Sequence, residues 1–307
     1  MTSGWDGLLA IDKPAGPTSH DVVAHIRAVS GCARVGHTGT LDPPATGLLV
    51  LLLGRATRLA RFVPSEPKSY EGEIVFGITT TTDDASGEIV RRHDGPPPAP
   101  EAVRAAGRAR LGSQLQVPPA FSARHVEGTR LYRMARRGLA VEARATPVRV
   151  DAFELAPTAD PLRWRYGVRV SAGTYVRALA RDLGAALGCG AVVASLRRTA
   201  IGTLGVDDAL RLPPEDAGLC ALLQSRIVPI DAIPLGMASL VVSELDADRF
   251  AAGTPFEHPD APTSLAGEVA VRDGNGTLLG VGLLDGPVLR PRVVLVQRAA
   301  LPGPQAV

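Results

Sequence analysis

Asp42 is the one carboxylate in the fifteen-residue stretch Arg34–Leu48, which also holds three glycines, three threonines, two prolines and His37. That density of Gly and Pro excludes a helix and predicts an ordered loop. The apolar run Leu48–Leu53 follows at once and predicts a buried strand. A polar loop anchored on a core element can hold a side chain still enough for acid, base or nucleophilic chemistry. Pro43 biases Asp42 toward an extended backbone and fixes the direction in which the chain leaves. The same carboxylate could equally do no more than cap a turn. Residue type and spacing leave both readings open.

Two further stretches carry groups that could serve such a carboxylate. Ser171–Leu179 turns into a helix that continues to Gly184, and Tyr175 and Arg177 stand at its start. An arginine there stays protonated at any working pH, although a Tyr and an Arg at a helix start are otherwise ordinary packing and surface charge. Gly128–Gly138 reads as a helix with Arg130, Arg133, Arg136 and Arg137 within eight residues. Leu131, Met134 and Ala135 share one face, and Arg130, Arg133 and Arg137 share another. Cations so close repel one another unless phosphates neutralise them.

Several elements must position these groups. Leu8–Ile11 predicts a short strand, Asp12–Pro17 its turn, and Lys13 on spacing alone is a solvated turn lysine. Thr18 and Asp21 form a capping-box pattern ahead of Val22, Val23, Ile26 and Val29 at helical spacing. Arg55, Arg58 and Arg61 recur every third residue and read as the solvated face of a helix. Tyr70, Gly72, Ile74, Phe76 and Ile78 alternate with Glu71, Glu73 and Val75, a strand pattern. Residues 102–111 predict a helix, 147–155 and 163–171 two strands, and Gly188–Gly202 another that carries Leu196. Past Pro234 the texture turns β-rich, and Asp273-Gly274-Asn275-Gly276 between two apolar runs is a hairpin signal. About 70 residues of this kind suit a small compact barrel.

At 307 residues the chain can bury a full core and hold two domains. Apolar residues make up 45% and charged residues 21%, as in ordinary globular proteins. The longest apolar run falls well short of the ~20 residues of a membrane span, and no secretory pattern opens the chain. Cys32, Cys189 and Cys220 have no CxxC spacing, which argues against a zinc site or disulfide framework and for a reducing, cytoplasmic setting. The net charge of +2 hides an asymmetry: residues 101–150 hold ten Arg and three acids, residues 201–307 seven Arg and thirteen acids. A basic middle suits a polyanion. Only Lys13 and Lys68 are lysines, the other 31 basic residues being arginine.

Gly36-His37-Thr38-Gly39-Thr40-Leu41-Asp42-Pro43 with Ala45-Thr46-Gly47-Leu48 resembles the signature loop of the TruB family, the tRNA pseudouridine-55 synthases. Ser171–Gly184 resembles the family's G-T-Y-[IV]-R-x-L-x-x-D-[LI]-G segment, and Gly188–Gly202 its G-x-x-A-x-x-x-x-L-R-R-T-x-x-G strand. Asp12-Lys13-Pro14 with Gly16 and Ser19 is similar to its N-terminal motif, which packs beside the catalytic loop. The resemblance covers residues 7 to 235. Thr81 stands where the family has an acid in a T-D-T-x-D-A-x-G segment, and His125 replaces a usual lysine.

The resemblance implies an α+β fold: a mixed, largely antiparallel pseudouridine synthase domain over 1–235 and a PUA-like barrel over 236–307. It implies an enzyme that isomerises the T-loop uridine of tRNA without metal or cofactor, acting as a monomer. Asp42 becomes the essential carboxylate and Arg177 the cation that keeps it ionised in a water-poor pocket. Tyr175 lines the wall and could relay a proton; Tyr70 meets the flipped base, and Leu196 closes the apolar side. His37 and Lys13 lie beside the loop, and Arg133 and Arg137 face RNA phosphates. The acidity of 236–307 is unlike a strong RNA binder. The reading from a different class is a non-catalytic RNA-binding or tRNA-folding module, which would have no reason to hold Asp42, Tyr175 and Arg177 together.

Overall fold

The structure is a computed structural model that describes residues 4–121, 125–126, 129–130, 144–258 and 265–296. Among them, eleven strands make one mixed sheet. From one edge its order is Leu210–Arg211, Gly7–Lys13, Thr46–Leu53, Ala191–Ile201, Lys68–Phe76, Arg163–Val170, Thr146–Pro157 and Gly112–Gln116. Three short strands pair alongside, among them Val35–His37 on Thr46–Leu53.

The apolar run 48–53 is buried at every position because its strand is covered on both faces. Leu48, Val50 and Leu52 enter one core, while Leu49, Leu51 and Leu53 enter the other. This is the two-residue period of a strand written in one residue type, as a doubly covered central strand demands. The helix Ser19–Ser30 covers one of those faces with Val22, Val23 and Ile26. Its capping box is present: Thr18 Oγ1 accepts from Asp21 N, and the Asp21 carboxylate accepts from Thr18 N.

Thr46–Leu53 runs parallel to Ala191–Ile201, but their register holds only at Arg197–Thr46 and Arg198–Gly47. Gly47 sits at φ 97°, and a Cβ there would lie 2.2 Å from the Arg198 carbonyl, so this approach requires glycine. Beyond these two pairs no ladder joins the strands, and the loop bearing Asp42 enters at this point.

The C-terminal β-rich segment is a five-stranded sheet ordered Ser239–Val241, Gly267–Arg272, Leu278–Asp285, Val288–Val294 and Phe256–Glu257. Its end strands do not pair with each other, so it is a half-barrel and not the closed compact barrel expected from the sequence. The helix Glu244–Ala251 fills one side through Ala247 and Phe250. Ala270, Leu278, Val281 and Leu295 share a core with Leu8, Leu48, Val50 and Leu52 of the large sheet.

Arg58 and Arg61 are exposed, as a solvated face requires, and Arg55 is half-buried. They sit on and just after the 3₁₀ turn Gly54–Leu59 and grip the half-barrel. Arg55 Nη1 donates to the Leu295 carbonyl (2.6 Å), Arg58 Nη1 to the Val294 carbonyl, and Arg61 pairs with Glu268 (2.7 Å). Three-residue spacing aligns side chains along a 3₁₀ turn, where i and i+3 eclipse; the contact lay more than 200 residues away in the chain.

Candidate active site

Asp42 sits in the loop between the Val35–His37 and Thr46–Leu53 strands, and the loop is tied at nearly every residue. Ser19 Oγ accepts from Leu41 N (2.8 Å) and donates to the Leu41 carbonyl (3.1 Å). Arg198 donates to the carbonyls of Gly39 (3.1 Å), Thr40 (3.1 Å) and Leu48 (2.7 Å). Lys13 Nζ donates to the carbonyls of Pro14 (2.8 Å), Pro17 (2.8 Å) and Pro43 (3.2 Å). Burial pushes that ammonium down and the nearby Asp42 carboxylate opposes the shift.

Lys13 therefore ends a strand, fully buried, and is not a solvated turn lysine. It braces the loop. A buried ammonium is tolerated here because three carbonyls replace its hydration.

The helix Val176–Ala186 supplies the cation. Arg177 is nearly buried, and its Nη2 lies 2.8 Å from Asp42 Oδ2. The rest of the guanidinium is fixed by the carbonyls of Thr82 (2.8 Å) and Phe121 (2.9 Å) and by Asp84 Oδ2 (3.5 Å). One turn on, Arg181 takes Asp83 (3.1 Å). Asp83 holds φ 59°, and burial raises its carboxyl while Arg181 opposes the shift. Two neighbouring acids thus meet two arginines four apart on one helix face.

Asp84 was not singled out from the sequence, although it lies in the Asp84-Ala85-Ser86-Gly87 end of a quoted motif. Its Oδ1 accepts from Thr82 Oγ1 (2.7 Å), Ser86 N (3.0 Å) and Ser86 Oγ, which leaves Oδ2 for Arg177. Gln116, also missed, clamps the Tyr175 backbone: its Oε1 accepts from Tyr175 N (2.8 Å) and its Nε2 donates to Tyr175 O (3.2 Å). A polar residue ending an edge strand carries no such signal in sequence.

A cavity of about 200 Å³ opens beside Asp42, lined among others by Tyr70, Tyr175, Arg177, Leu196, Lys68 and Arg198. It is smaller than the ~300 Å³ at which drug-sized pockets begin and suits a single ring. Leu196 and Tyr70 stand on adjacent strands, the latter directly opposite Arg198. A narrower slot on the other side of Asp42 is walled by Asp84, Ala85, Val193 and Leu196. Asp42, Arg177, Tyr175, Tyr70 and Leu196 are therefore brought to one cavity.

His37 ends its strand beside the loop, edge-on to His20 at 5.4 Å, and is absent from the cavity wall. Burial lowers its imidazole, and its Nδ1 has no hydrogen-bond partner among the described residues. Arg133 and Arg137 lie outside the described residues. Among those that are described, no three His, Cys, Asp or Glu converge as metal ligands, and no helix is long and apolar enough to cross a membrane.

Residues 27–176 match the model of the TruB family pseudouridylate synthase N-terminal domain, and 177–217 that of the tRNA pseudouridylate synthase B C-terminal domain. The chain is 44% identical over 225 residues to the tRNA pseudouridine synthase B of Opitutus terrae, covering 73% of this chain and 93% of that protein. It is 41% identical over 302 residues to the protein of that name from Synechococcus elongatus, covering 94% and 98%. In fold it is similar to a chain of the crystal structure of a Cbf5–Nop10–Gar1 complex (TM-score 0.73, 22% identity, 96% and 87% covered). A chain in the structure of an H/ACA RNP bound to a substrate RNA containing 2'-deoxyuridine gives a TM-score of 0.72 at 21% identity, with 96% and 86% covered.

Proposed function

This chain belongs to the TruB family of pseudouridylate synthases, and from that premise we propose that it isomerises uridine 55 in the T-loop of tRNA to pseudouridine. Asp42 is the catalytic carboxylate, and the flipped base enters the cavity between Tyr70, Tyr175 and Leu196. The observation that carries this reading is the pairing of a half-exposed Asp42 with a buried Arg177 at 2.8 Å, on the wall of a ring-sized cavity.

The reaction breaks the bond between C1′ and N1, turns the base and rebonds C1′ to C5. It consumes no redox equivalent. It needs a carboxylate at the sugar, a pocket that retains the loose base, and walls that replace lost stacking. Arg177 sets a positive charge 2.8 Å from the Asp42 carboxylate, and its anchors on Thr82, Phe121 and Asp84 hold it in place before substrate arrives. Ser19, Lys13 and Arg198 fix the loop, so the position of Asp42 is set in advance.

The basic segment 101–150, with Arg133 and Arg137, supplies phosphate contacts, and the half-barrel within 236–307 is a PUA-like RNA-binding extension of the body 1–235. The enzyme works as a cytoplasmic monomer and takes no cofactor. The test is turnover on an unmodified T-arm stem-loop. Wild type should form pseudouridine at one position, and Asp42→Asn should abolish it while RNA affinity stays within about tenfold, ~1.4 kcal/mol. Turnover by an Asn variant free of wild-type enzyme would sink the assignment.

A further inference from the structure

Among the described residues four cations surround the loop that carries Asp42, and three are committed within the protein. Lys13 and Arg198 are bound to backbone carbonyls, and Arg177 to two carboxylates and two carbonyls. The fourth, Lys68, opens the Lys68–Phe76 strand two residues before Tyr70, so both side chains leave the strand on one face and both line the cavity. A Cβ built on Gly39 would stand 3.6 Å from Lys68 Nζ and 3.8 Å from Arg198 Nη1, which places the ammonium against the Asp42 loop.

Among the described residues Lys68 Nζ has no hydrogen-bond acceptor in range and no carboxylate within 4 Å. Glu66, the nearest acid along its own chain, is engaged by Ala172 N at 2.8 Å. Burial and the Arg198 charge push the ammonium down from its usual value, and the Glu66 carboxylate opposes the shift. A desolvated cation without a partner costs free energy that a transient anion in the same cavity would return.

We propose that Lys68 is the cation that meets the negative charge on uracil as its bond to the sugar breaks. The inference rests on the pseudouridine reading above. When the C1′–N1 bond breaks, its electron pair goes to the base, whose charge spreads over N1 and the two carbonyl oxygens. C1′ is left electron-poor or bonded to the Asp42 carboxylate. Lys68 stays protonated and donates to a carbonyl oxygen of the base; C5 then gives an electron pair to C1′, releasing the Asp42 carboxylate where it had bonded there, and the C5 proton leaves to solvent while N1 takes one up. The charge on the departing base is the same if Asp42 acts instead on the sugar's 2′ position. Tyr70, on the same face, lines the space through which the base turns.

The experiment compares uridine and 5-fluorouridine at the target position of a T-arm stem-loop, in single turnover, for wild type, Lys68→Met and Lys68→Arg. Fluorine at C5 stabilises the departing anion, so it should partly replace the missing cation. Lys68→Met is expected to lose about a hundredfold in glycosidic cleavage of uridine but only about tenfold with 5-fluorouridine. Lys68→Arg should keep more of the rate than Met, and RNA affinity should stay within about threefold for both, about 0.7 kcal/mol. Equal losses on the two substrates, or no loss, overturn the proposal. Weaker binding with a salt slope reduced by about 0.9 and an unchanged chemical rate would make Lys68 a phosphate ligand, and also overturns it. If Met fails to bind RNA through misfolding, Lys68→Gln enters the same two-substrate comparison. Wild type that makes no pseudouridine overturns the function itself, an outcome distinct from the others.

Discussion

Arg177 and Asp42 form a 2.8 Å ion pair in which the guanidinium side chain is 6% exposed and the carboxylate 44%. The cation is locked in the protein and the acid faces the cavity. A surface ion pair would leave both ends mobile, whereas here only the acid can reach a substrate.

That asymmetry sets the first prediction. Arg177→Met removes the cation shared by Asp42 and Asp84, and Asp84 is itself only 12% exposed. Breaking a buried pair from one side costs about 3 kcal/mol. Single-turnover rate should fall about a hundredfold, while RNA affinity, spread over many phosphates, stays within about tenfold. Arg177→Lys keeps the charge and loses the planar fork, so it should fall between the two. Thermal unfolding and rates on the T-arm stem-loop decide it. A Met variant that loses binding but keeps the wild-type rate would make Arg177 a phosphate contact.

Asp12 contributes to acid stability. It accepts two bonds from Arg197 (2.8 and 2.9 Å) and one from Arg211 (3.3 Å). These hydrogen bonds and charges hold its carboxyl below the ordinary 3.8, burial opposing. A folded value below the unfolded one stabilises the fold at neutral pH, and that contribution fades as pH falls below about 4. Asp12→Asn should be less stable than wild type at pH 7, and the gap should narrow below pH 4. Urea midpoints at pH 7, 4 and 3 measure this; a constant gap would refute the linkage.

The strands of the large sheet could be read from the chain because periodicity reports burial locally. Leu48–Leu53 and Tyr70–Phe76 are buried in the pattern their sequence carries. The three motifs also name the residues that share the cavity, Asp42, Tyr175, Arg177 and Leu196. Contacts made across the chain were not legible. Arg55 and Arg58 read as solvated, and Arg58 is indeed exposed, but their acceptors are carbonyls near Leu295, which no side-chain pattern marks. Lys13 looked exposed for the same reason: its partners are proline carbonyls. Residue type says nothing about which backbone oxygen will be near.

Docking of the half-barrel gives the third prediction. Arg55 bridges the Asp6 carboxylate (2.7 Å), which is 9% exposed, to the Leu295 carbonyl. Arg55→Ala removes the guanidinium from both, leaving Asp6 only the backbone N–H of residue 55 (2.6 Å), and should cost about 2 kcal/mol. The Arg61–Glu268 pair is exposed at both ends, so Arg61→Ala should change stability by less than about 1 kcal/mol. Limited proteolysis should release a C-terminal fragment faster from the Arg55 variant alone. Equal release from both variants would mean that the shared apolar core, and not Arg55, holds the sheet in place.

Ser19 separates positioning from fold. Its hydroxyl is buried and closes both backbone groups of Leu41, the residue before Asp42. Ser19→Ala leaves a buried N–H and a buried carbonyl without that partner, a loss of about 2 kcal/mol. The larger consequence is geometric, because Leu41 is free to shift and carries Asp42 with it. A displacement near 1 Å can cost about a hundredfold in rate. Lys13 and Arg198 still hold Pro43, Gly39 and Thr40, so the loop should keep its course and RNA affinity should not change. Single-turnover rate against urea stability on the same preparation tests this: the rate should fall by more than tenfold at temperatures where the variant is fully folded. A folded Ser19→Ala enzyme with the wild-type chemical rate would show that Lys13 and Arg198 alone set the position of Asp42.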